Sequence, residues 1–128
     1  MPRTSVRRTQ PAVPLARRIA PGFKTWLVLD GEFLMGPRYL RLLEGIDETG
    51  TVRQACARTG MSYRTCLSRI RAMERTLGAP VVTTARGGTD RGGARLTPLG
   101  RRLLRLYERW RDDAGQAVQA TFQRALAD

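Results

Sequence analysis

Residues 51–77, TVRQACARTGMSYRTCLSRIRAMERTL, decide how the rest of the chain is read. Thr51 is placed to cap a first helix, and Gln54 stands three residues on, where a capping box wants Glu or Gln. Val52, Ala55 and Cys56 form the apolar side of that helix, and Gly60 supplies a left-handed stop. Met61 anchors the turn. Ser62 is a second N-cap, before a longer helix that ends at Gly78. At ~100° per residue, Tyr63, Cys66, Leu67, Ile70, Met73 and Leu77 fall within about a third of the circle. Arg64, Thr65, Ser68, Ala72 and Arg75 point the opposite way. One side is made to pack on a core; the other, rich in arginine, suits a polyanion. This is the helix-turn-helix plan.

The charge of the chain supports that reading. Its 128 residues hold 23 Lys plus Arg against 11 Asp plus Glu, a net +12, with 41% hydrophobic residues. Such a content fits one modest core with an appended tail. The imbalance implies a polyanionic partner, nucleic acid ahead of anionic membrane. The basic excess is concentrated in 1–24, 51–77, 86–95 and 101–111, whereas 30–48 and 112–128 are net acidic. Lys24 is the only lysine. Part of the arginine content can follow genomic base composition, so not every arginine is read as a contact.

Working outward, residues 1–22 carry four prolines, five arginines and no acid, the composition of a disordered arm. Two roles stand for it: a solvated tail, or a basic arm along phosphates or in a minor groove. The folded domain is expected over 23–128. Residues 23–35, FKTWLVLDGEFLM, predict a hairpin turning at Asp30-Gly31, which must pack on the helices because a two-stranded ribbon is marginal alone. Gly36-Pro37 opens a helix with Tyr39, Leu40, Leu43 and Ile46 as its buried stripe and Gly50 as its stop. Leu42 lies off the centre of the stripe and is assigned to a partner subunit.

Beyond Gly78, APVVTTAR predicts a strand, GGTDRGGA a glycine-rich loop, and Leu96 the end of a short return strand. A nucleotide-cradling loop would need GKS or GKT and a following helix; neither is present. A basic wing beside the major groove fits better, its glycines allowing close approach to phosphate. Thr97-Pro98 caps the last helix, expected over about 98–125. Leu99, Leu103, Leu106, Trp110, Ala114 and Ala117 recur along it with coiled-coil-like spacing, which points to a homodimer interface, with packing back on its own domain as the alternative.

Other classes are disfavoured. With no histidine and two cysteines, Cys56 and Cys66, on apolar helix faces, there is no metal ligand set, and the thiols read as core residues of a reducing cytoplasm. No apolar run approaches the ~18 residues of a membrane span. No nucleophile–base set or paired carboxylate marks an enzyme; Asp112-Asp113 reads as a solvated helix surface.

With this element order in hand, GTVRQACARTGMSYRTCLSRIRAMERTLGAPVV (50–82) and GGARLTPLGRRLLRLYERW (92–110) resemble the winged helix-turn-helix of LysR-type regulators and of the molybdenum-dependent regulator ModE. The Met-Ser-Tyr-Arg start at 61–64, the Arg-Gly-Gly pieces of the wing, the Leu-Thr-Pro-Leu-Gly at 96–100 and the WLVLDGEF hairpin favour the ModE-like group. The fold class expected is mainly α with a small β component: a three-helix core, a β-hairpin wing, an N-terminal β-hairpin and a long C-terminal dimerisation helix. The resemblance implies a DNA-binding domain that dimerises through its first and last helices, with the second helix of the motif in the major groove. Leu67 departs from the pattern, standing where tryptophan is expected. The chain ends at Asp128 without a counterpart of the family's molybdate-binding domain, so no molybdate site and no cofactor are expected.

The expected function is therefore a dimeric transcriptional regulator of the bacterial cytoplasm, associated with the nucleoid, on double-stranded DNA bearing an imperfect inverted repeat. Arg64, Thr65 and Ser68 are assigned to base edges. Thr51 and Ser62, at helix N-termini, are assigned to phosphate. Tyr63 lies on the apolar arc, yet in the first turn it is within reach of phosphate. Arg69 is assigned to the backbone, and Arg86, Arg91 and Arg95 to holding the wing there. The competing class is a nonspecific nucleic-acid-binding architectural or protein-interaction module.

Overall fold

The computed structural model describes residues 14–85 and 93–128. Arg86, Arg91 and residues 1–13 of the expected arm lie outside the described residues. The chain divides into two compact units, 24–113 and a smaller one formed by the residues on either side of it. In the smaller unit, Leu15–Arg17 form one 3-10 turn and the Phe23 ring packs against Gly115.

In the larger unit, β1 (Leu27–Leu29) and β2 (Glu32–Met35) pair antiparallel. Asp30 and Gly31 both have positive φ, 50° and 82°, the backbone of the tight two-residue hairpin turn expected there. Leu27 stands across from Met35 and Val28 from Phe33, which leaves Leu34 as an extra residue in β2. Leu34 and Met35 are both buried, so the ribbon gains its stability by packing on the helices.

Three helices follow: α1 (Pro37–Thr49), α2 (Val52–Ala57) and α3 (Tyr63–Leu77). Their ends are set by local chemistry. Pro37 starts α1, and left-handed Gly50 ends it. The Thr51 hydroxyl accepts from Gln54 N at 3.0 Å, and the Ser62 hydroxyl accepts from Thr65 N at 3.1 Å. The reciprocal bond expected of Gln54 is made instead by Thr49, whose hydroxyl accepts from Thr51 N at 3.3 Å. The stop expected at Gly60 comes earlier: α2 ends at Ala57, and Gly60, at φ 78°, serves the turn into α3. Left-handed Gly78 ends α3 as expected.

A second antiparallel pair, β3 (Val82–Thr84) with β4 (Ala94–Leu96), forms the stem of the wing. The last helix, α4 (Pro98–Ala127), is capped by Thr97, which accepts from Gly100 N at 3.0 Å. Helices α1 and α2 cross where Gly45 meets Ala55; a Cβ on Gly45 would sit 2.8 Å from the Ala55 backbone. The core gathers Met35, Leu40, Leu42, Leu43, Ile46, Val52, Cys66, Met73, Val81 and Tyr107.

This packing corrects two dimer assignments. Leu42 is fully buried inside its own domain, because the buried face of α1 is wider than the four-residue stripe and takes in Leu42 and Gly45 as well. Leu103 is 9% exposed and belongs to the same core. A helix resting on its own domain repeats apolar residues at the same spacing as one resting on a partner. Leu106 and Trp110 remain outward, at 56% and 38% exposure, with Leu99 half-buried. Ala117 is exposed and Ala114 half-buried.

Candidate nucleic-acid interface

Cys66, Ile70 and Met73 bury one side of α3, with Tyr63, Leu67 and Leu77 partly buried beside them. The opposite side is thereby held outward. A shallow recess there is lined by Arg64, Thr65, Ser68, Arg69 and Ala72 of α3 and by Tyr39 of α1. Four residues assigned to DNA from the sequence, Arg64, Thr65, Ser68 and Arg69, thus meet in one place. Arg64 and Ser68 are exposed; Thr65 and Arg69 are half-buried.

The recess is basic and held in shape. The Arg69 guanidinium lies 5.1 Å from the centre of the Tyr39 ring, which meets Phe33 edge-on at 5.3 Å. The Ser62 hydroxyl donates to Thr65 Oγ1 at 3.0 Å, so the first turn of α3 is tied twice. The single acid of α3, Glu74, is committed elsewhere: its carboxylate accepts from Val81 N at 2.9 Å and Val82 N at 3.3 Å. No carboxylate among the described residues lies within ion-pair distance of Arg64, Arg69, Arg71 or Arg75.

Tyr63 does not join the recess. It is half-buried against the core, and the Arg53 guanidinium stacks over its ring at 4.2 Å. Thr51, half-buried, and Ser62, exposed, spend their hydroxyl acceptors on caps and retain their place at helix N-termini. Sequence reasoning assigned no part in the DNA-facing surface to Arg53, Arg71 or Tyr39. Arg71 and Arg75 are exposed and continue the row of Arg64 and Ser68 at helical spacing, a signal readable from the sequence. Tyr39 was hidden by its place on the buried stripe of α1.

The wing stem is fixed to the helices by several hydrogen bonds. Besides the Glu74 bonds, Ala94 N donates to Gly50 O at 2.7 Å and the Thr97 hydroxyl donates to Pro80 O at 2.8 Å. Arg95 is exposed on β4, paired across from Thr83. The thiols stay in the core: burial, then the neighbouring Cys56 thiol, pushes Cys66 up to about 11, so it remains protonated. Among the described residues no group of three or more His, Cys, Asp or Glu is arranged for a metal ion, and no helix is long and apolar enough to cross a membrane.

Residues 37–101 match the family model described as bacterial regulatory helix-turn-helix protein, lysR family. The matched span contains α1 to α3, the wing and the start of α4. The chain is 42% identical over 73 residues to the molybdenum-pterin-binding protein MopB of Rhodobacter capsulatus, covering 57% of this chain and 27% of MopB. It is 35% identical over 82 residues to the transcriptional regulator ModE of Yersinia pestis, covering 64% of this chain and 31% of that protein. Identity to the DNA-binding transcriptional dual regulator ModE of Escherichia coli K12 is 34%, over the same shares of each chain. The chain therefore spans less than a third of the length of these relatives.

Proposed function

Because the chain belongs to the lysR family of bacterial regulatory helix-turn-helix proteins, we propose that it is a dimeric DNA-binding transcriptional regulator that reads its site with the outward face of α3. The family and the two ModE relatives are regulators of transcription, not enzymes. Arg64, Thr65 and Ser68 contact base edges, Arg64 with its two donors on a guanine. Arg69, Arg71 and Arg75 hold the flanking phosphates. Thr51 and Ser62 offer helix-terminal N–H and O–H groups to the backbone. Arg95, with Arg86 and Arg91 in the loop, holds the wing to the adjacent strand.

The observation that carries this reading is the recess on α3. It brings four polar or basic side chains together without an acid and stands on a helix capped at both ends. Exposed Leu106 and Trp110 support dimerisation through α4. Two copies of α3 related by a twofold axis would meet successive major grooves, so the site is an imperfect inverted repeat in chromosomal DNA of the cytoplasm. The molybdenum in a relative's name belongs to that relative and is not carried into this reading.

Genome-wide mapping of bound sites supplies the operator, and competition tests the reading. A labelled operator complex should survive a large excess of random duplex. Complete loss to random duplex would instead favour a nonspecific architectural protein.

A further inference from the structure

Strand β2 packs against α3, and a file of three side chains joins the first hairpin to the recess. Phe33 of β2 meets the Tyr39 ring of α1 edge-on at 5.3 Å, and the Arg69 guanidinium of α3 lies over the Tyr39 ring at 5.1 Å. Tyr39 is 8% exposed and forms one wall of the recess. Phe33 is 49% exposed. Its ring lies across Gly36 at the entry to α1, where an added Cβ would come within 3.5 Å of it.

Each contact has a physical cause. Edge-on packing fixes the tilt of Tyr39, and a ring so fixed offers its face to a cation in one place. A guanidinium suits that face. It is planar and weakly hydrated, and stacking uses its flat side while the N–H donors at its edge suit a phosphate. An arginine on an open helix face must give up rotamer freedom when it binds. Arg69, half-buried over the ring, has given up much of it before DNA arrives. Among the described residues no such ring contact joins Arg64, Arg71 or Arg75, which are exposed on the same helix.

We propose that Phe33 and Tyr39 are positioning residues for DNA binding, which act by holding the Arg69 guanidinium at the edge of the α3 recess for a backbone phosphate. It rests on the reading of Arg69 as a phosphate contact, and it gives the first hairpin a share in an interface whose recess it does not line.

The test is a double-mutant cycle in the full chain on a duplex of random sequence, read as the dissociation constant by fluorescence anisotropy over a series of salt concentrations. A phosphate contact is indifferent to sequence, so no operator is needed. Arg69→Ala should weaken binding about tenfold and lower the salt slope by ~1. Phe33→Leu should weaken it about three- to tenfold, the worth of a cation–π contact, and lower the slope in the same sense. Its thermal unfolding should stay close to the parent's, because the ring is half outside the core. In the Arg69→Ala background Phe33→Leu should cost nothing further, whereas with Arg95→Ala on the wing the two losses should add. Tyr39→Leu should match Phe33→Leu, and Tyr39→Phe should restore binding, since the ring and not the hydroxyl carries the stack.

A Phe33→Leu protein that binds like the parent, while Arg69→Ala weakens, refutes the brace and leaves Arg69 on phosphate. Losses that add in full with Arg69→Ala make the rings a general support of the fold and overturn the proposal. Tyr39→Phe as weak as Arg69→Ala puts the hydroxyl itself on DNA and overturns it as well. Arg69→Ala with unchanged affinity and slope removes the contact that the rings would serve, and leaves operator reading by Arg64 standing. A parent that binds no duplex ends both.

Discussion

Gly45 and Gly100 have no room for a side chain. A Cβ on Gly45 would meet the Ala55 backbone at 2.8 Å, and one on Gly100 would press into the Val81 carbonyl. Both contacts are with backbone, which cannot swing aside. Gly45→Ala and Gly100→Ala should each destabilise by ~1–3 kcal/mol despite the better helix propensity of alanine, visible as a lowered denaturation midpoint. A midpoint unchanged in both would mean the crossings are looser than described. At a cap the expected cost is smaller: Ser62→Ala should lose about 1 kcal/mol, because Thr65 N loses its acceptor. Caps and stops at Thr51, Ser62, Thr97, Gly50 and Gly78 were legible in the sequence, since each depends on residues three or four apart. Gly45 and Gly100 were not, because the atoms that exclude a side chain come from a different element. Leu42 escaped for the same reason: which flank of α1 is covered is decided by the elements that pack on it, not by α1.

Between elements, the instructive contact is α1 against α4, where Glu44 and Glu108 share a hydrogen bond. Burial, then that bond and the charge of Glu108, raises Glu44 from its ordinary 4.5 to about 7, against the opposing pull of Arg111. A carboxyl raised on folding favours the fold while protonated. Its contribution is complete below about 4.5 and is lost as the pH rises through about 7. Glu44→Gln should therefore raise the melting temperature relative to the parent at pH 8, and the gain should shrink toward pH 5. An equal offset at both pH values would contradict this. The bond between two carboxylates could not be foreseen, since residues 44 and 108 meet only once α4 has docked. The two-helix unit, both hairpins and the long last helix were readable, because periodicity and turn residues are local signals. The split of the α4 seam was not: Leu103 turned inward and Leu106 outward on the same heptad-like spacing.

For the whole molecule, charge is the deciding quantity. A protein of net +12 that neutralises six to ten phosphates should lose ~10³–10⁵ in affinity between 50 and 200 mM salt. A nearly flat salt dependence would count against the interface on α3. The site itself was partly legible. Arg64, Thr65, Ser68 and Arg69 follow from the angular position of each residue on one amphipathic helix. The contribution of Tyr39 to the recess, and the stacking of Arg53 on Tyr63, depend on how α1 and α2 pack against α3. The most direct test compares Arg64→Ala with Arg95→Ala on the operator and on random duplex of equal length. Arg64→Ala should cost ~1–3 kcal/mol on the operator and far less on random DNA, while Arg95→Ala should weaken both alike and reduce the salt slope by ~1. If Arg64→Ala weakens both equally and Arg95→Ala erases the preference for the operator, α3 does not read the sequence.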